Sequence, residues 1–183
     1  MSNRARRLGM KPFWSVAALK AAGFEGFTSV RALRRRRFIG IPDKPGIYIT
    51  LYRRERAPRL LQVSPAYSFK GRDPALPITE LRDRWVSGTR VIYIGKAGSK
   101  NGRSTLIRRI SCYLRSGKGH ACAHWGGRAI WQLRDAETLV FAWKPTSRAR
   151  AAAVERSLIA NFVAAFGKRP FANRTGGKPQ RKG

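Results

Sequence analysis

The chain has 183 residues, with 39 Lys and Arg against 9 Asp and Glu, so its formal net charge at pH 7 is +30. Hydrophobic residues make up 43% of the sequence, enough for the core of one domain of ordinary size, which excludes the disordered class of protein. No stretch approaches the ~20 apolar residues that span a bilayer. The charge could serve an acidic membrane surface, but it favours a nucleic acid as the partner.

The cysteines and the N-terminus indicate the compartment. Cys112 and Cys122 do not have the spacing of a metal site or a redox motif, which is typical of a reduced intracellular protein. The Arg-rich start has no signal-peptide pattern, and although transit peptides are also basic, so is the rest of this chain. We therefore expect a cytoplasmic, nucleoid-associated protein with no membrane partner.

Residues 1–40 are predicted to form a basic helical extension that begins with a basic tail. Apolar residues within 13–19 predict a short helix that stops at Gly23. Thr28 or Ser29 can then cap a second helix that continues through Leu33.

Four consecutive arginines follow that second helix: Arg34, Arg35, Arg36 and Arg37. They form either a solvated basic helix end or an arm that contacts the DNA backbone. The strong attraction of clustered arginines for phosphate favours DNA contact.

The next predicted elements are two strands separated by a long insertion. Alternating apolar residues predict a strand over 46–51, and residues 90–94 predict a second, short and apolar one. Between them, the proline-rich segment 53–78 reads as irregular, and a loop of that length is usually functional or disordered. Thr79 is a suitable cap for a helix over 80–85.

The C-terminal half predicts two longer helices and a third strand. The helices cover 105–114, with an apolar stripe at four-residue spacing, and 148–166, where Gly167 provides the stop. Residues 139–143 predict the strand, and a helical turn is expected around 130–133. These elements predict an α+β domain over 41–175, with a three-stranded, mainly antiparallel sheet flanked by helices, and a basic tail over 176–183.

Two of the predicted strands carry Gly46-Ile47-Tyr48 and Tyr93-Ile94-Gly95. In this order, followed by a basic and then an acidic helix, they resemble the GIY-YIG nuclease family. The resemblance covers 45–174 and includes further segments in the family's order. These are the turn through Lys96-Ala97, the Arg-x-x-x-Tyr of Arg109 and Tyr113, Glu155 with Leu158-Ile159, and the Pro-x-x-Asn of Pro170 and Asn173.

The resemblance implies a metal-dependent endonuclease that hydrolyses DNA phosphodiester bonds with a single Mg²⁺ or Mn²⁺ ion. It implies that Glu155 binds the metal and that Arg109 neutralises charge that grows on the phosphorus. Tyr48 is our choice for the tyrosine that assists proton removal from water, because two nearby cations would lower the pKa of its phenol. The supporting roles fall to Tyr93 and Lys96, which would position water or phosphate, to Tyr113, which would orient the phosphate or Arg109, and to Asn173, which would hydrogen-bond in the site or brace its closing loop.

Glu155 has the most informative setting of the candidate residues. Its helical neighbours include Ala151, Leu158 and Ile159, and a carboxylate is seldom placed among apolar side chains unless it is paired or binds a metal. An ion pair with Arg109 is the alternative, and together with the resemblance we favour the metal. The other eight acidic residues are scattered along the sequence, which favours one cation over a two-metal site.

The remaining candidates each have a simpler alternative. Tyr48 and Tyr93 could be ordinary packing residues of a sheet, and Arg109 could be one more arginine that contacts phosphate. The long turn over 95–105 is either a DNA contact or a solvated loop; Arg103 and Arg108 are further predicted nucleic-acid contacts. The alternative function for the whole chain is a non-catalytic basic nucleic-acid-binding protein that keeps the nuclease fold.

A compact cluster at 124–128 contains His124 and Trp125, and His120 lies four residues before the histidine. That spacing would suit a metal on a helix, but the surrounding glycines disfavour a helix and a third ligand is missing. We expect Trp125 to pack or to stack on DNA.

Overall fold

A four-stranded antiparallel sheet, with the strand order β1-β4-β2-β3, forms the centre of the protein. The structure is a computed structural model, and it describes residues 14–54, 57–99, 102–122 and 126–174. The strands are β1 (Glu25–Ser29), β2 (Gly46–Leu51), β3 (Val91–Ala97) and β4 (Val140–Pro145).

The α+β class is confirmed, but the prediction of three strands is wrong because β1 adds a fourth. Only five residues long and partly exposed, β1 lies at the sheet edge and has an irregular register between Glu25 and Thr28. Because neither side of β1 is fully buried, its sequence does not alternate between apolar and polar residues, and that pattern could not predict it. A Cβ atom on Gly26 would lie 2.5 Å from the ring of Trp143, so this glycine allows the close approach of the edge strand to β4.

Five α-helices pack around the sheet in the described part of the chain: α1 (Val16–Ala21), α2 (Val30–Arg35), α3 (Ile78–Arg84), α4 (Leu106–Ser116) and α5 (Arg148–Phe166). Short 3-10 helices occupy Phe69–Gly71, Arg128–Gln132 and Ala136–Thr138. No helix among the described residues has the length and apolar character needed to cross a membrane.

The predicted ends of several helices are confirmed. Ser29 caps α2, because its hydroxyl accepts a hydrogen bond from the Ala32 backbone N–H at 3.2 Å. Gly167 ends α5 in the left-handed conformation, with φ of 75°. By contrast, α3 begins before Thr79, directly after Pro77, so Thr79 lies inside the helix and is not its cap.

The two faces of the sheet carry different layers of the core. Side chains of β2 alternate between them: Ile47 and Ile49 belong to a cluster with residues of α1 and α5, whereas Tyr48 belongs to a cluster with residues of α2 and α4. Helices α4 and α5 therefore cover opposite faces. This arrangement brings an arginine from one layer and a carboxylate from the other towards the same end of β2 and β3.

The described part of the long insertion is held by a buried glutamine. The Gln132 amide accepts a hydrogen bond from Leu76 N–H at 2.7 Å and donates to the carbonyls of Leu61 and Leu76 at 3.1 and 3.0 Å. Arg128 adds a hydrogen bond from Nε to the Pro74 carbonyl at 3.0 Å. These bonds satisfy backbone groups that lose water on burial, so an irregular segment can pack against the core.

We predict that Gln132→Ala lowers the free energy of unfolding by about 2–3 kcal/mol, because it leaves buried backbone groups unpaired. Urea unfolding measures this loss, and limited proteolysis should locate new cleavage between residues 57 and 76. Gln62→Ala, at an exposed position of the same insertion, is the matched control and should change neither measurement. Equal proteolysis of the two variants would contradict the anchoring role of Gln132.

Candidate active site

A cleft of about 300 Å³ is lined by the four predicted catalytic residues. Tyr48 comes from β2, Tyr93 from β3, Arg109 from α4 and Glu155 from α5. They are distant in sequence, and only the folded sheet with a helix on each face brings them together. Lys96, Ile159 and Asn173 also line the cleft, together with four residues that were not singled out from the sequence: Gly98, Ser104, Gly126 and Arg174.

The motifs Gly46-Ile47-Tyr48 and Tyr93-Ile94-Gly95 are matched to each other in space. Tyr48 on β2 lies directly opposite Gly95 on β3, and its ring occupies the place of a Gly95 side chain. A Cβ atom at Gly95 would lie 2.5 Å from the Tyr48 Cζ and 2.7 Å from its oxygen. The ring centroids of Tyr48 and Tyr93 are 5.9 Å apart. The glycine of the second motif thus makes room for the phenol of the first.

The Tyr48 phenol is fully buried. Burial raises its pKa above the ordinary value, and the nearby Arg109 guanidinium, which lowers the pKa, does not compensate. Burial also raises the pKa of Tyr93, well above the usual range. The Arg109 guanidinium thus lowers the pKa of Tyr48 as expected, but desolvation of the phenolate has the larger effect. The further lowering expected from a second cation stays a prediction.

Glu155 pairs with Lys96, whose Nζ lies 3.4 Å from Oε2. The predicted alternative partner was Arg109; that guanidinium is close enough to lower the pKa of the carboxyl, as is Lys96. Burial has the larger effect and raises the pKa of Glu155, whose side chain is only 13% exposed. The carboxylate is therefore held in the cleft at an energetic cost.

Arg109 provides a permanent positive charge. Burial by itself would lower its pKa, but the phenols of Tyr48 and Tyr93 act in the opposite direction and the net change is upward. With Lys96 and Arg174, it makes three cationic side chains in a cleft where Glu155 is the one acid among the described lining residues. The cleft is suited to an anionic ligand.

Two supporting residues have structural roles that the sequence left open or assigned differently. Tyr113 does not edge the cleft: it is fully buried, and its hydroxyl donates to the Gly127 carbonyl, next to the cleft residue Gly126. The Asn173 amide accepts from Ile94 N–H at 2.9 Å and donates to the Ile94 carbonyl at 2.8 Å. Asn173 thus braces the closing segment against edge strand β3.

The predicted nucleic-acid contacts lie outside the cleft lining. Arg34 is partly buried: it pairs with Glu137 and stacks over Trp131. The Arg34 guanidinium is therefore packed within the fold and does not belong to an exposed basic arm as predicted for Arg34 to Arg37. The others are exposed: Arg35, Arg36, Arg37, Arg103 and Arg108. His124 and Trp125, like Phe13 and both tails, lie outside the described residues.

Sequence reasoning missed Arg174 and Ser104, which also line the cleft. Ser104 accepts a hydrogen bond from Gly98 N–H at 3.1 Å and so shapes the turn after β3. Arg174 directly follows Asn173 in the sequence, and that adjacency to the Pro-x-x-Asn segment was the available signal. Among more than thirty other cations, it could not be singled out without coordinates.

Comparison of the chain with models of protein families, with curated proteins and with solved structures found no match. The functional interpretation therefore depends on the residues of the cleft and on their geometry.

We predict unequal effects on stability for two tyrosine substitutions. The buried Tyr48 hydroxyl lies beside Tyr93 and Arg109 but forms no hydrogen bond of ordinary geometry with a described residue, so Tyr48→Phe should change the free energy of unfolding little. Tyr113→Phe loses the bond to the Gly127 carbonyl and should cost about 1 kcal/mol. Urea unfolding measures both, and a larger loss for Tyr48→Phe would contradict this assignment.

We predict that Glu155→Gln stabilises the protein as the pH rises. Burial raises the pKa of Glu155 in the folded state above its ordinary 4.5. The favourable contribution of the protonated carboxyl is therefore complete below the unfolded value and is lost as the pH rises through the folded pKa. Unfolding measured across this window should show a growing advantage for Glu155→Gln that levels off at higher pH. Exposed Glu25→Gln is the control; a less stable Glu155→Gln at neutral pH would mean that the Lys96 pair outweighs burial.

Proposed function

We propose that this protein is a metal-dependent endonuclease that hydrolyses phosphodiester bonds of DNA with a single divalent cation. The observation that carries the proposal is the convergence of Tyr48, Tyr93, Arg109 and Glu155 on one cationic cleft. The high positive charge of the whole chain supports a polyanionic substrate. The resemblance of the motifs supports the reaction class.

The residues of the cleft fit a hard cation such as Mg²⁺ or Mn²⁺. Glu155 is the only carboxylate among the described lining residues, and the described residues contain no cluster of three or more His, Cys, Asp or Glu side chains that could hold a metal. A zinc site would need such a cluster, whereas magnesium is commonly bound by one or two carboxylates with water and substrate phosphate. Such a cation, when bound at Glu155, supplies positive charge that polarises the scissile phosphate and stabilises the leaving 3′ oxygen.

Arg109 and Lys96 would bind the scissile phosphate. The guanidinium of Arg109 offers a planar set of donors that matches phosphate oxygens, and its charge persists at any physiological pH. A half-buried donor of this kind stabilises charge that grows on the phosphate oxygens in the transition state. Lys96 lowers the pKa of Glu155 against the larger effect of burial, and it adds a second positive charge.

Tyr48 would hold the attacking water. Its hydroxyl is buried in the cleft, where it can accept a hydrogen bond from water while Tyr93 stands beside it. Because the pKa of Tyr48 is raised, the phenol keeps its proton at neutral pH when only protein groups surround it. Proton removal by Tyr48 therefore requires additional positive charge in the cleft, which is consistent with metal dependence.

The second candidate is a non-catalytic nucleic-acid-binding protein. The Lys96–Glu155 pair favours it, because this contact partly compensates the charge of the buried carboxylate without a metal. For both functions we propose a DNA partner, no membrane partner, and a cytoplasmic, nucleoid-associated location.

We expect the protein to nick supercoiled plasmid in the presence of Mg²⁺ and to lose this activity in EDTA. Glu155→Gln should lower the nicking rate at least 100-fold, and Arg109→Lys by about 100- to 1000-fold, because each removes a charge or donor that acts in the transition state. DNA affinity, measured by fluorescence anisotropy, should change less than tenfold in either variant.

Matched controls are Glu25→Gln and Arg115→Lys, two exposed positions outside the cleft lining, and both should nick at the wild-type rate. DNA binding without nicking in any metal would establish the second candidate function. Nicking by Glu155→Gln at the wild-type rate would exclude Glu155 as the metal ligand.

A further inference from the structure

A second cavity, here called the flanking pocket, adjoins the cleft. Its volume is about 230 Å³, and Asn173 and Arg174 border both cavities. Asp83 is the one acid among the described residues that line it. Four cationic side chains line it: Arg84, Lys168, Arg169 and Arg174. The proposed reaction does not use Arg84, Lys168 or Arg169.

The flanking pocket is fixed relative to the cleft by one segment of chain. At Gly167 the left-handed turn ends α5, and residues 168–174 then return to the edge of β3. Ala172 N–H donates to the Ile92 carbonyl at 2.8 Å, and the Asn173 amide binds both backbone groups of Ile94. Asn173 and Arg174, at the end of this segment, therefore line both the flanking pocket and the cleft.

The positive charges of this region are only partly compensated. Arg84 contacts Glu80 through Nη2, but its Nη1 is buried and no described residue accepts a hydrogen bond from it. Nearby, burial and the charges of Arg174 and Arg84 lower the pKa of Arg128 to about 10. The guanidinium groups of Arg84 and Arg174, which both line the flanking pocket, are thus close enough to Arg128 to repel it, and an anion in the pocket would offset their charge.

A phosphate group has the chemistry that such a pocket recognises. Guanidinium groups donate paired hydrogen bonds to its oxygens, and its charge neutralises clustered arginines. The two cavities share a wall formed by Asn173 and Arg174, so the flanking pocket is the cationic site that adjoins the cleft. We propose that the flanking pocket binds the phosphate next to the scissile one on the same nucleic-acid strand. This inference rests on the proposed function, because it assumes that the ligand in the cleft is the scissile phosphate of a nucleic acid.

The experiment compares short ligands that cannot slide along the protein. The thymidine trinucleotide has two phosphates, and its matched ligand has one linkage replaced by an uncharged methylphosphonate, at the first or the second position. Affinity is measured in EDTA by competition with a fluorescent oligonucleotide. For the wild type, we expect the second charge to increase affinity roughly tenfold, as for a phosphate held by two or more cations.

Lys168→Gln with Arg169→Gln removes two exposed cations of the flanking pocket. This double variant should gain less than about threefold from the second phosphate and should bind the methylphosphonate ligands as the wild type does. Lys20→Gln with Arg150→Gln removes the same charges at exposed positions that line neither cavity, and it should keep the full gain. Lys168→Arg with Arg169→Lys keeps both positive charges and should therefore keep the affinity gain from the second phosphate.

A terminal phosphate is the other source of the same chemistry. The thymidine dinucleotide with a 5′ or a 3′ phosphate tests it: a larger gain from one terminal phosphate than from the internal one would identify a strand end as the occupant and overturn the inference. The inference would also be overturned if the second phosphate increased affinity equally in the Lys168→Gln/Arg169→Gln variant and in the Lys20→Gln/Arg150→Gln control.

The binding measurement needs no cleavage. If Lys168→Gln with Arg169→Gln loses the affinity gain from the second phosphate but the wild type does not nick plasmid, only the proposed nuclease function is contradicted. If the wild type nicks plasmid but its affinity does not increase with the second phosphate, only the flanking-pocket proposal is contradicted.

Discussion

The antiparallel pairing of β2 with β3 is the constraint on which the cleft depends, because it sets Tyr48 opposite Gly95. The phenol ring fills the space of an absent side chain, and any larger residue at 95 would collide with it. A shift of this register by one residue would turn Tyr48 to the opposite face of the sheet. The geometry of the cleft is thus a direct consequence of strand register.

Burial of charge is the second determinant of the site. Desolvation raises the pKa of the Glu155 carboxyl and of the Tyr48 phenol, and the cations of the cleft offset only part of each change. Groups held against their solvation preference are typical of functional sites, where charge on a ligand restores the balance. Arg109 is the exception, because the pKa of its guanidinium is not lowered overall despite burial in the cleft, and its charge persists.

Single polar side chains hold the irregular segments of the chain against the sheet and helices. The Gln132 amide holds the long insertion through backbone groups of Leu61 and Leu76, and the Tyr113 hydroxyl holds the Gly127 carbonyl next to the cleft. At the other side, Asn173 completes the edge of β3. In each case, one polar side chain satisfies a backbone that has no strand or helix partner.

The sequence by itself determined the local elements: β2 and α5 have their predicted bounds, because alternation and helical periodicity are properties of neighbouring residues. It also determined the candidates Tyr48, Tyr93, Arg109 and Glu155, through motif order. The edge strand β1, the pairing of Glu155 with Lys96, and the place of Arg174 in the cleft were decided only by the tertiary structure. Each depends on contacts between residues far apart in the chain, and the local pattern of the sequence carries no record of those distances.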